Sequence, residues 1–216
     1  MMTKTLSFNQ GFYLAGLLLA GLLFAWTSQA LANTADEKLC QAAIAKIERL
    51  NNFPVQILSA VALTESGRLS ADKKTMIAWP WSINAEGKDY VFNSKADAIA
   101  FTQKLMKGGM RSIDVGCMQI NLRHHPDAFV SLEQAFDPNA NAAYAAKFLK
   151  TLLQNHKAWT KAIAYYHSSA KEYNEPYRQR VLKNWQTARR QADQERQAAY
   201  AALAAQRRPA QVAFNK

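Results

Sequence analysis

Apolar residues recur at helical spacing along most of this chain. Within residues 35–50, Leu39, Ala43, Ile44 and Ile47 share one helix face. Asn51-Asn52 interrupts that pattern, and Pro54 suits the first turn of a second helix. This helix is apolar almost throughout, from Val55 to Leu63, and closes on Thr64-Glu65-Ser66-Gly67, with Gly67 in the usual C-terminal place. The pattern then changes. Trp79-Pro80-Trp81-Ser82-Ile83-Asn84 and Tyr90-Val91-Phe92 flank Glu86-Gly87, which predicts a short β-hairpin or an aromatic loop. Ser94 with Asp97 forms a capping box for a helix running to Lys107, and Gly108-Gly109 stops it. Asp137-Pro138 opens another helix with Tyr144, Ala145, Phe148, Leu149 and Leu152 as its stripe. Trp159, Ile163 and Tyr166 mark a further one. Pro176 can start the last, with Tyr177, Val181 and Trp185 on one side. Each stripe reads first as core. The predicted fold class is mainly α, with no internal repeat.

The two ends depart from this pattern. Lys4, the apolar stretch 11–26 and Ala30-Leu31-Ala32 have the layout of an export signal, so residues 1–32 are expected to be cleaved and the mature chain to begin at Asn33. The apolar stretch is short for a membrane span, which needs about 20 residues, and an uncleaved anchor is the alternative reading. A periplasmic location follows as the expectation. Beyond Trp185 the chain turns rich in Ala, Gln and Arg. Residues 183–216 are expected to form a basic tail, an exposed helix that frays after Arg207-Arg208-Pro209. The net charge of +11 suits an anionic envelope polymer. Export and the lack of a nucleic-acid motif exclude nucleic acid as partner. An exported chain with two cysteines, Cys40 and Cys117, most simply pairs them.

Glu65 carries the first hint of chemistry. Its apolar neighbours desolvate its charged form, and the negative end of the helix dipole repels it. Both effects raise its pKa toward that of a carboxyl able to donate a proton near neutrality.

Two later segments give Glu65 a context: Ile113-Asp114-Val115-Gly116-Cys117-Met118-Gln119-Ile120-Asn121 and Ala162-Ile163-Ala164-Tyr165-Tyr166-His167-Ser168. In this order the three segments resemble the soluble lytic transglycosylases (SLT domain), which share a goose-type lysozyme-like fold. Glu65-Ser66 match that family's Glu-Ser. Gly116-Cys117-Met118-Gln119-Ile120 match Gly-Leu-Met-Gln-Ile except at Cys117. Tyr165-Tyr166-His167 align with Ala-Tyr-Asn, with Tyr166 matching and His167 in place of Asn. The resemblance covers residues 40–182. It implies cleavage of the bond between N-acetylmuramic acid and N-acetylglucosamine in peptidoglycan glycan strands. Glu65 would protonate the leaving oxygen and then serve as base while the muramic C6 hydroxyl attacks C1, giving a 1,6-anhydro sugar.

The remaining roles follow from residue chemistry. Gln119 offers an amide for N-acetyl groups or for bracing its loop. Met118 is an apolar contact at cleft or core. Tyr166 is expected to hydrogen-bond Glu65, and Ser66 to steady substrate or cap its helix. Trp79, Trp81 and Tyr90 could stack on sugar rings or pack in the core, with Trp81 the candidate for substrate contact. Asp114 reads as a loop-capping residue or a catalytic assistant. His124-His125 are adjacent and lack further ligands, so no metal is expected, and no phosphate loop or nucleotide fingerprint calls for a cofactor. Two rival functions remain: a hydrolytic muramidase, and a non-catalytic peptidoglycan-binding assembly protein. The small size resembles members that open the wall for secretion, pilus or conjugation machines, which makes such a complex the expected partner.

Overall fold

The computed structural model describes residues 35–214, with side chains up to residue 206. The export signal expected over 1–32 lies outside the described residues. Seven helices and six short strands follow one another among those described. Helix α1 spans Leu39–Leu50 and buries Ala43 and Ile44 of its predicted face together with Cys40, while Leu39 of that face is exposed. The pattern over 35–50 predicts helix from Ala35, but a turn at Glu37-Lys38 interrupts it.

Helix α2, Ile57–Ser66, is buried at Ile57, Leu58, Ala60, Val61 and Ala62, as an almost wholly apolar helix must be. It starts after Pro54 instead of on it, because Gln56 enters in the left-handed conformation. Its entry is held by Glu48 of α1. That carboxylate accepts the backbone N–H groups of Gln56 (3.1 Å), Leu58 (2.7 Å) and Ser59 (3.2 Å). These are donors that a helix start leaves without intrahelical partners. At the other end Gly67 is extended (φ −65°, ψ 129°), contrary to a left-handed cap. Its requirement is space: a Cβ there would stand 2.1 Å from the Leu63 carbonyl oxygen.

Strands β1 (Gly67–Leu69) and β2 (Met76–Ala78) form a small antiparallel ribbon. Strands β3 (Ser82–Ala85), β4 (Lys88–Val91), β5 (Ile113–Val115) and β6 (Ile120–Asn121) form an antiparallel sheet in the order β4-β3-β5-β6. The predicted hairpin is β3–β4. Glu86 (φ 50°) and Gly87 (φ 84°) make its turn, both positive as a tight hairpin turn favours. Helix α3, Lys95–Lys107, is capped by Ser94, which accepts from the Asp97 N–H.

Helix α4 spans Leu132–Ala135 and α5 Pro138–His156, the latter capped by Asp137 on the Ala140 N–H. Helix α6 is Trp159–His167 and α7 is Lys171–Phe214. The last helix therefore starts ahead of Pro176, whose fixed φ is already helical and which lies in the second turn. It also continues past Arg207-Arg208-Pro209, where the sequence predicts fraying.

Two cores meet in this molecule. One joins α1, α2, α5, α6 and α7 around Ile57, Leu58, Val61, Leu149 and Ile163. The other lies between the sheet and α3, around Trp79, Trp81, Ile83, Ile113, Val115 and Phe136. The predicted Cys40–Cys117 disulfide ties α1 to the turn after β5, with Cα atoms 5.7 Å apart. No helix among the described residues is long and apolar enough to cross a membrane.

Candidate active site

Glu65 ends α2 where the two cores meet. Part of its surface stays open, yet the protein crowded around its carboxyl lifts its pKa to about 8. Burial is the largest cause. A hydrogen bond from Tyr177 opposes it, the nearby negative charge of Asp114 adds to it, and the positive charge of Arg180 moderates it. The tyrosine hydroxyl donates to Glu65 Oε1 at 2.6 Å. Tyr177 comes from α7 and is 1% exposed, so its ring has no freedom to swing away. Burial and the neighbouring acid push its own pKa well up, which keeps it a proton-bearing donor.

Tyr166 corrects an expectation. Its hydroxyl donates to the Met118 carbonyl at 2.8 Å and not to Glu65. The residue that holds Glu65 is Tyr177, which sequence reasoning placed in a core stripe. Tyr166 still lies close enough to Glu65 and Asp114 for both to raise its pKa. That bond ties Tyr166 to the loop that follows β5.

That loop is braced from three sides. Gly116 (φ +82°) turns the chain, and a Cβ on it would meet the Asn141 amide nitrogen at 2.6 Å. Asn141, fully buried on α5, accepts the Met118 N–H (2.9 Å) and donates to the carbonyls of Val115 and Ala135 (3.0 Å each). Gln119 sits at φ 47° and gives its amide hydrogens to the carbonyls of Ser82 (3.1 Å) and Gly116 (3.0 Å). Its bracing role is thus visible, and its amide oxygen is the atom left for a ligand. Met118 is fully buried, in the core rather than in a cleft.

Ser66 is also buried. Its hydroxyl donates to the Cys117 carbonyl at 2.7 Å and accepts the Trp79 N–H at 3.3 Å, stitching α2 to both the loop and the strand region. These contacts commit it to the frame. Trp81 is 5% exposed, and its indole donates to Asp36 Oδ2 at 3.0 Å. Trp79 is 1% exposed and donates to the Phe92 carbonyl, while Tyr90 packs on Phe101. Trp79 and Trp81 are therefore packed in the second core, while Tyr90 stays half-buried at its edge.

Asp114 lies in β5, not in a loop, opposite Asn84 and Asn121. Burial pushes its pKa up, against a hydrogen bond from Asn121 and the charge of His124. It is the second carboxyl in the field of Glu65. His125 shares a 2.9 Å hydrogen bond with the Tyr144 hydroxyl, a structural partner rather than a ligand. Among the described residues no group of three or more His, Cys, Asp or Glu side chains is placed to hold a metal ion.

The arrangement is thus a proton-holding carboxyl, a buried tyrosine fixing it and a rigid loop beside it. Residues 42–188 match the family described as the transglycosylase SLT domain. Neither the curated proteins nor the solved structures gave a match. The match embraces Glu65, the Gly116–Ile120 loop and Tyr177, and the mainly helical architecture with its small antiparallel sheet agrees with a lysozyme-like domain. The chain belongs to the transglycosylase SLT domain family, whose activity is of the lytic transglycosylase type on peptidoglycan, outside the cytoplasm.

Proposed function

We propose that this protein is an exported lytic transglycosylase that cleaves the N-acetylmuramic acid to N-acetylglucosamine bond and leaves a 1,6-anhydromuramoyl end. The observation that carries this reading is the Glu65 carboxyl, raised to about 8 and gripped by Tyr177. At neutral pH such a carboxyl holds its proton and can give it to the leaving glycosidic oxygen. The carboxylate that results accepts the proton of the muramic C6 hydroxyl as that oxygen bonds to C1. One group thereby serves both steps, and no water enters the product. Tyr177 keeps the carboxyl in place through both states, and the Gln119 amide oxygen is available to an N-acetyl N–H.

The test is mass analysis of sacculus digests by the wild type and by Glu65→Gln. The wild type is expected to release anhydromuropeptides and the variant none, with its fold intact by circular dichroism. Full activity in the variant would sink the reading.

A hydrolytic muramidase is the second reading. One observation favours it: Asp114 lies close enough for its charge to act on Glu65, and ordinary glycosidases use two carboxyl groups. Products heavier by one water, lost on Asp114→Asn, would select it. Service to a secretion, pilus or conjugation machine is a further part of the proposal. It rests on the small domain and is tested by co-purification from envelope extracts.

A further inference from the structure

His167 stands where the family pattern has Asn, and its imidazole lies flat on the Tyr177 ring. The ring centroids are 4.6 Å apart and the planes differ by 7°. The histidine is exposed while the tyrosine beneath it is 1% exposed. Tyr177 in turn donates to Glu65 at 2.6 Å. Imidazole, phenol and carboxyl therefore form a column that runs from the surface to the proton donor. Helix α6 ends at His167 and α7 begins at Lys171, so the short connection between them sets the stack. Ser168 anchors that connection by accepting at its carbonyl from the Asn174 amide and at its hydroxyl from the Ala170 N–H.

We propose that His167 tunes the proton affinity of Glu65 through Tyr177: its imidazole roofs the phenol ring and excludes water from that face of the column. An asparagine has no ring to lay on the phenol, so the roof is a property of this chain's own residue. The charged and titratable groups around the imidazole are Tyr177 and Arg180 of α7, with Glu65 of α2 beyond the phenol. The Arg180 guanidinium is 5.9 Å from the Tyr177 ring. Burial and that positive charge lower the His167 pKa, so the neutral ring is the one that stacks at neutral pH. An apolar ring should therefore do the same work.

The inference rests on Glu65 as the proton donor, but its test does not depend on lysis. The Glu65 carboxyl is followed by carbon-13 NMR titration in the folded protein, with Glu65→Gln identifying its signal. His167→Ala admits water to the column and relieves desolvation, the largest cause of the raised value. The Glu65 midpoint is expected to fall by roughly one pH unit. His167→Phe keeps a flat ring and is expected to restore the wild-type midpoint. An unchanged or raised midpoint in His167→Ala overturns the proposal, as does a His167→Phe variant that titrates like His167→Ala. Should Glu65→Gln retain lytic activity, the catalytic reading fails while the His167 titration still gives its own answer.

Discussion

Glu65 titrates at about 8 because desolvation outweighs the hydrogen bond from Tyr177. In the unfolded chain the same carboxyl ionises near its ordinary 4.5. Between those values the folded state holds a proton that the unfolded state has lost, so Glu65 makes stability decline as pH rises through the window. Glu65→Gln is expected to remove that decline, on the order of a few kcal/mol at its alkaline end. Urea denaturation on both sides of the window checks it. Tyr177→Phe acts in a different direction. The lost hydrogen bond favoured the ionised form, so the Glu65 pKa rises further and the alkaline limb of the lytic pH profile moves up. The rate falls about tenfold as the carboxyl loses its fixed orientation. A pH–rate profile of the variant separates the two effects. Glu65 was legible from its own neighbours, since burial and helix end are local features. Tyr177 was not: its partner is 112 positions away in the chain, and a tyrosine on an apolar stripe looks like any core residue. Trp79 and Trp81 were ambiguous for the same reason, as aromatic side chains serve core and sugar alike until packing places them.

Among the elements, α2 and the loop after β5 do the positioning. Helix α2 depends on Glu48, whose carboxylate meets three backbone N–H groups at its start. Glu48→Ala leaves those donors without an acceptor and is expected to cost about 2–3 kcal/mol in urea denaturation. The loop depends on Gly116. Gly116→Ala sets a methyl group against Asn141 at a backbone angle that side chains rarely adopt. A loss of roughly 1–3 kcal/mol is expected, with lytic activity falling further than stability does. Capped helices were readable in the sequence because Ser94 and Asp137 bond to donors within their own first turns. The start of α2 was misread at Pro54 because its true anchor sits in another helix.

At the scale of the molecule, the disulfide and α7 tie distant parts of the chain into the helical core. The Cys40–Cys117 bond closes a sequence separation of 77 residues, for which chain-entropy reasoning gives about 4–5 kcal/mol. Reduction is expected to lower the melting temperature by calorimetry and to loosen the loop that carries Gln119. The long helix holds α2 through Asn184 on Thr64, and the turn before α2 through Trp185 on the Val55 carbonyl. From Arg189 to Gln206 its side chains are almost all exposed. The direction in which the chain threads α2 through this frame has a further effect. Glu48 meets the helix at its electropositive mouth and Glu65 leaves it at the electronegative one. A single ten-residue rod thereby carries one enclosed carboxyl at each mouth, the first bonded to its backbone donors and the second bearing the proton of the site. Burial remains the chief reason that Glu65 keeps its proton, so the polarity of the rod only adds to a character that the surrounding protein sets.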